Sequence, residues 1–297
     1  MRILTRRTFI CKFTLLLAFL VGATLGAPIA TLAQTNSQPA LIDRELFFGD
    51  PEISGAQLSP DGKFIAFVKP LKGTRNIWVK RTEEPFDAAK PVTADKSRPV
   101  TQYFWSRDGK YILFVQDKAG DENYNVYAVN PSDSPAAGED VPGARNLTDA
   151  KGIRAAIYAV PRSEPDTMYI GLNDRDKAWH DLYKVKISTG ERTLMRQNTE
   201  RITGWVFDLK DQLKLATRAA ENGDTEVLRV DEKGFTKVYS CNVFESCGPI
   251  QYHKDGQRVY FLTNKGAGSD LIKLTLFNPT TGKEETVESD PLNRVDF

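Results

Sequence analysis

Two histidines, three cysteines and a scatter of serines are the residues of this 297-residue chain that could do covalent chemistry. Acyl transfer by a hydrolase-type serine needs Gly-x-Ser-x-Gly, because a strained strand-to-helix elbow must expose the hydroxyl beside the oxyanion-hole amides. No such pattern occurs. The nearest cluster, Gly266-Ala267-Gly268-Ser269-Asp270, falls in a hairpin loop with no helix pattern after it, and no histidine follows Ser269 to act as base. His180 and His253 lie near turns and loops, without a second ligand at metal spacing. No glycine-rich phosphate loop or paired catalytic carboxylate stands out either. The residues thus predict no catalytic group, no cofactor site and no metal site in the chain itself.

Two further groups have spacing worth reading. Cys241 and Cys247 flank Asn242-Val243-Phe244-Glu245-Ser246, a loop short enough to bring them together. In an oxidising compartment they would form a disulfide, the alternative being two buried reduced thiols. The acidic string Asp117, Asp121 and Glu122 reads as a solvated hairpin tip, or as a rim contact to a partner domain or substrate.

The elements that must position these residues are repeats. Asp108-Gly109 precedes the apolar run Tyr111 to Val115, and a polar loop containing Gly120 leads to a second run, Val126 to Val129. Two such runs joined by a turn-rich loop predict antiparallel strands. The same grammar occurs at Ser59-Pro60-Asp61-Gly62-Lys63, with Phe64 to Val68 and then Asn76 to Val79. It returns at Lys254-Asp255-Gly256-Gln257, with Val259 to Leu262 and then Asp270 to Leu274. Two worn copies lie between: Glu164-Pro165-Asp166 before Met168 to Leu172 and Asp181 to Val185, and Lys210-Asp211-Gln212 before Leu213 to Thr217 and Thr225 to Val230. The turns recur roughly every 45 to 60 residues, the period of four-stranded propeller blades. Because the runs after the turns are continuously apolar, both faces of each strand must be covered, as radially packed blades require. The expectation is an all-β propeller of about five four-stranded antiparallel blades.

Composition bounds the partners. The chain is 40% hydrophobic, 27% charged and formally +1, which gives no electrostatic argument for nucleic acid or an acidic membrane surface. At the N-terminus, Arg2, Arg6, Arg7 and Lys12 form a basic region, Phe13 to Val21 an apolar core, and Thr31-Leu32-Ala33 a small-residue cleavage site. The apolar core is short for a membrane span, so no stable anchor is expected after cleavage. Thr5-Arg6-Arg7-Thr8-Phe9-Ile10 resembles the twin-arginine export signal; general secretion and an uncleaved anchor are the alternatives. The resulting organisation is an export signal over 1–33, a tether and lead-in over 34–52, and a partial propeller over 53–297, in a periplasmic or secreted protein.

The stretch Leu41 to Gly62, with Asn76-Ile77-Trp78-Val79, Gln102-Tyr103-Phe104-Trp105 and Gly120-Asp121-Glu122-Asn123, resembles the opening of bacterial prolyl-oligopeptidase-family serine peptidases. The similarity is to their acylaminoacyl-peptidase and dipeptidyl-peptidase-like branch, and it runs from about Leu41 to Phe297. The resemblance implies a seven- or eight-bladed propeller, of which the five blades are part, that precedes an α/β-hydrolase domain carrying a Ser-Asp-His triad. That domain is absent from this sequence, which stops at Asp290 to Phe297 where another strand would begin; the expectation is the N-terminal part of a longer protein. The implied function is a propeller that gates and docks short peptide substrates for that missing domain. The alternative is a stand-alone periplasmic binding propeller, similar to that of the Tol system, with no enzymatic activity.

Overall fold

The computed structural model describes residues 41–149, 151–266 and 271–289. The leader with Arg6 and Arg7, the serine of the Gly266–Asp270 cluster and residues 290–297 lie outside the described residues. The chain divides into two compact units at Asp50. In the first, a one-turn helix α1 (Arg44–Phe48) starts at Asp43, whose carboxylate accepts the Glu45 N–H at 2.9 Å.

Among its described residues the second unit has twenty strands in five four-stranded sheets, each a simple antiparallel meander. The first sheet is β1 (Ser54–Leu58), β2 (Phe64–Leu71), β3 (Thr74–Arg81) and β4 (Lys90–Pro91). The second is β5 (Tyr103–Trp105), β6 (Ile112–Gln116), β7 (Asn125–Val129) and β8 (Arg145–Asn146). The third is β9 (Ala155–Ala159), β10 (Thr167–Leu172), β11 (Asp181–Lys186) and β12 (Arg192–Arg196). The fourth is β13 (Ile202–Phe207), β14 (Leu213–Ala219), β15 (Thr225–Asp231) and β16 (Gly234–Cys241). The fifth is β17 (Cys247–Tyr252), β18 (Val259–Thr263), β19 (Lys273–Phe277) and β20 (Glu284–Glu288). These are the blades of a β-propeller, and each expected apolar run is the second strand of its blade.

The second strands are apolar throughout because each is covered on both faces. In β6, Ile112 and Phe114 pack with Ala66, Val68, Ile77 and Val79 of the first blade, whereas Leu113 joins Met168, Ile170 and Leu172 of the third. In β10 the intervening Tyr169 turns to Trp205 and Ala216 of the fourth blade. In β14, Ala216 faces back to that cluster and Leu215 packs forward against Val259 and Phe261 of the fifth. Alternate side chains of one strand thus enter two successive inter-blade cores. Each full burial of such a side chain contributes about 1.5–3 kcal/mol.

The turn between the first and second strands is a six-residue unit with fixed polar chemistry. Ser106 Oγ donates to Asp108 Oδ1 at 2.6 Å and accepts the Tyr111 N–H at 3.0 Å, while Asp108 Oδ1 accepts the Lys110 N–H at 3.1 Å. Gly109 takes a φ of 70°, the left-handed region that favours glycine. The first blade repeats every bond with Ser59, Asp61, Lys63 and Phe64. In the fourth blade Asp208 replaces the serine and accepts the Lys210 and Gln212 N–H groups, and Asp211 occupies the glycine position at a φ of 60°.

Two sequence expectations shift in register. Tyr111 belongs to the turn and the second-blade run starts at Ile112, because the Tyr111 backbone is committed to Ser106. In the fifth blade the third strand is Lys273–Phe277 rather than Asp270 to Leu274, since pairing sets Leu274 against Leu262 and Phe277 against Val259.

Candidate functional site

In each blade the strand alternation puts the hairpin between strands two and three at the same end as the crossover to the next blade. The turns between strands one and two lie at the opposite end. His180 ends the β10–β11 hairpin, whereas His253 begins the β17–β18 turn, so the two imidazoles belong to opposite ends. His253 fills the turn-serine position: its Nδ1 lies 2.9 Å from Asp255 Oδ2, and Asp255 Oδ1 accepts the Gln257 and Arg258 N–H groups. Those backbone bonds and the Arg258 side chain hold the Asp255 carboxyl well below the usual range. Burial, and then the nearby Arg154 charge, push His180 below an ordinary histidine. Among the described residues no serine hydroxyl bonds to either imidazole, and no three metal-ligating side chains gather at one point. Cys241 and Cys247 are joined by a disulfide with their Cα atoms 6.1 Å apart, closing the crossover between the fourth and fifth blades.

The hairpin end carries the concentrated polar chemistry. In the second blade Arg98, from the preceding crossover, donates through Nε at 3.0 Å and Nη2 at 2.7 Å to Asp117. Asp117 also accepts the Glu122 N–H at 3.2 Å, and its side chain is only 2% exposed. It is therefore a buried ion-pair member, in contrast to the solvated tip the acidic string suggests. Asp121 does sit at an exposed tip, where it accepts the Lys118 and Asn123 N–H groups. Burial pushes the Asp117 carboxyl up, but the Arg98 and backbone donors outweigh it and leave it below the ordinary value.

A buried carboxylate paired with an arginine also occurs one and two blades on, there at the start of the third strand rather than after the second. Asp181 accepts Arg175 Nε and Nη2, both at 2.8 Å, and the Asn198 N–H at 2.7 Å. Glu226 accepts Arg218 Nε at 2.8 Å and Nη2 at 2.6 Å, and Lys237 at 3.1 Å. For both acids burial opposes ionisation, and the paired cations still hold the pKa low. The signal was present but unread: Asn76, Asn125, Asp181 and Glu226 each stand directly before the apolar run of a third strand, and all four are buried. In the first two blades the asparagine instead clasps the chain beyond strand four, Asn76 Oδ1 accepting Thr93 Oγ1 at 2.9 Å and Asn125 Oδ1 accepting Thr148 Oγ1 at 3.0 Å.

Clefts open at this end among the described residues. One of about 590 Å³ lies between the first two blades, lined by Arg98, Gln116 and Asp117 and by Phe114, Tyr127 and Val141. Phe114 and Tyr127 stack there with ring centroids 5.1 Å apart. Another, of about 480 Å³, lies between the crossover into the fourth blade and the β14–β15 hairpin and is lined by Glu200, Arg201, Arg218, Asn222 and Glu226. Such clefts, with fixed donors beside apolar walls, can bind and orient a polar chain. The side chains lining them do not assemble a nucleophile with a base.

No family model matches the chain. Across 94% of its length it is 32% identical to dipeptidyl aminopeptidase BIII of Pseudoxanthomonas mexicana, of which it spans 42%. Across 80% of its length it is 28% identical to dipeptidyl peptidase family member 6 of Caenorhabditis elegans, of which it spans 33%. The chain therefore spans less than half the length of these curated relatives. Among solved structures, prolyl oligopeptidase B from Galerina marginata superposes on 82% of the chain with a TM-score of 0.56 at 12% identity, over 36% of its own length. That likeness is one of fold.

Proposed function

Since the chain belongs, by its propeller, with the dipeptidyl-peptidase relatives of the prolyl-oligopeptidase family, we propose that it is the substrate-gating and docking propeller of an exported serine-type oligopeptidase. The observation that carries this reading is the 32% identity to a dipeptidyl aminopeptidase over 94% of the chain. In this reading the catalytic serine, aspartate and histidine come from an α/β-hydrolase domain outside these 297 residues, and residues 53–297 filter and position short peptides for it. The hairpin end, with its clefts and fixed arginine-carboxylate stations, is the face that meets substrate. The buried polar residues there act by binding and positioning. Acyl transfer needs a histidine-activated serine and prepared oxyanion donors, and losing one triad member already costs several powers of ten in rate.

The location belongs to the same proposal. A leader over 1–33 with Arg6 and Arg7 would deliver the protein to the periplasm or beyond, where a Cys241–Cys247 bond persists. Cell fractionation with export-pathway mutants tests this; accumulation of the mature chain in the cytosol contradicts it.

A hybrid enzyme tests the propeller role. The matched segment of dipeptidyl aminopeptidase BIII is replaced by residues 41–297 of this chain, and turnover of a dipeptidyl chromogenic substrate is compared with that of longer peptides. Retained dipeptidyl turnover with an altered length or sequence preference supports a gating role. A folded hybrid whose preferences match those of the parent enzyme refutes it.

A further inference from the structure

Arg201 is the one arginine at the hairpin end whose circumstances its neighbours do not explain. Arg98, Arg175 and Arg218 each pair with a buried carboxylate. Beside Arg201, Arg218 and Lys237 are matched by Glu200 and Glu226, a cluster that closes at zero net charge. The Arg201 guanidinium makes no ion pair and no hydrogen bond among the described residues, and its Nε is shielded from solvent without an acceptor. It lies over the Trp179 ring at 5.7 Å, half-buried, and it lines the 480 Å³ cleft. Its backbone holds a φ of 60°, uncommon for a residue other than glycine. Arg154 makes the matching contact one blade earlier, over Tyr124 at 5.7 Å, but Arg154 is exposed.

A cation denied part of its hydration attracts an anion more strongly than one in open water, and the guanidinium fork matches a carboxylate through two parallel donors. We propose that Arg201 anchors a carboxylate-binding site in the cleft between the crossover into the fourth blade and the β14–β15 hairpin, with a peptide carboxylate as ligand. Trp179 holds the guanidinium plane from one side, and the terminal Nη donors take the ligand. Glu221 also lines the cleft and its charge opposes an added anion, so the preference rests on Arg201. A C-terminal carboxylate and an acidic side chain offer the same chemistry. The inference rests on the reading of this propeller as one that meets peptides.

The test titrates the full chain with three acetylated tripeptides: trialanine with a free C-terminus, an amidated peptide with a central glutamate, and its amidated glutamine counterpart. Binding is read by calorimetry and by tryptophan emission, with Trp179→Phe identifying the Trp179 signal. At least one carboxylate peptide should bind roughly tenfold or more tightly than the neutral one, and which one does so identifies the carboxylate's source. Arg201→Asn, which tolerates the left-handed backbone, should erase that preference. Arg201→Lys, which keeps charge without the fork, should retain part of it, and it serves if the asparagine variant fails to fold. Equal binding of all three peptides, a preference that survives Arg201→Asn, or no binding by either carboxylate peptide overturns the site. Equal binding leaves the peptide-binding propeller standing, because failure of that reading shows in the hybrid enzyme.

Discussion

Replacing Ser106 by alanine should destabilise the propeller by about 2 kcal/mol through a single hydroxyl. Ser106 is fully buried, and its Oγ both donates to Asp108 and accepts the Tyr111 N–H. Alanine preserves the backbone pair between Ser106 and Tyr111 and the Asp108 bond to Lys110. What it removes is the acceptor for the Tyr111 N–H and one donor to Asp108. A buried donor left unsatisfied costs about 1–3 kcal/mol, and this part-buried one should fall within that range. For a domain of this size, 2 kcal/mol corresponds to a fall in Tm of roughly 4–8 °C. The assay is urea unfolding followed by circular dichroism, with the thermal midpoint as a check. Ser59→Ala should cost a similar amount, because the first-blade turn makes the same bonds. The two turns are neighbours, since a Cβ added at Gly109 would come within 3.5 Å of Pro60, and the double variant should depart from additivity. A midpoint unchanged within about 1 °C for both single variants, far less than an orphaned buried donor costs, would refute the claim that the hydroxyl holds the turn.

Reducing the Cys241–Cys247 bond frees a short loop and should lower stability by about 2 kcal/mol, read as a Tm difference with and without reductant; free thiols in the unreduced protein would contradict it. Acid should unfold the protein through its paired carboxylates. The folded-state pKa values of Asp181 and Glu226 lie below their ordinary 3.8 and 4.5, so the stability they contribute is present above those values and is lost as pH falls through the lowered ones. The urea midpoint should therefore fall below about pH 4.5, and Asp181→Asn should flatten that limb; an unchanged acid limb in the variant would exclude Asp181 as a contributor.

The second and third strands were legible in the sequence because their residues face two neighbouring cores and so must be apolar at consecutive positions, as in Ile112-Leu113-Phe114 and Met168 to Leu172. The fourth strands were not. Arg192–Arg196 and Glu284–Glu288 are outer edges with solvent over most of their length, and Lys90–Pro91 and Arg145–Asn146 are two residues long, too short for any periodicity. At the hairpin end the cysteines could be read from spacing, whereas the burial of Asp117 could not. Its partner Arg98 is nineteen residues away on a crossover, and only folding brings that crossover over the hairpin. His253 looked like free loop chemistry because the turn-serine position was recognised by its Asp-Gly pair alone. The hydroxyl two residues before the aspartate, replaced here by an imidazole, went unread.

The central claim, that this chain positions peptides and does not cleave them, is tested most directly by incubating the purified chain with aminoacyl, acyl-aminoacyl and dipeptidyl chromogenic substrates beside a serine-directed fluorophosphonate. The account predicts no turnover and no labelled serine from the chain alone, and turnover once an α/β-hydrolase domain is joined to it in frame. Activity that co-purifies with the chain, together with covalent labelling of one of its own serines, would contradict it.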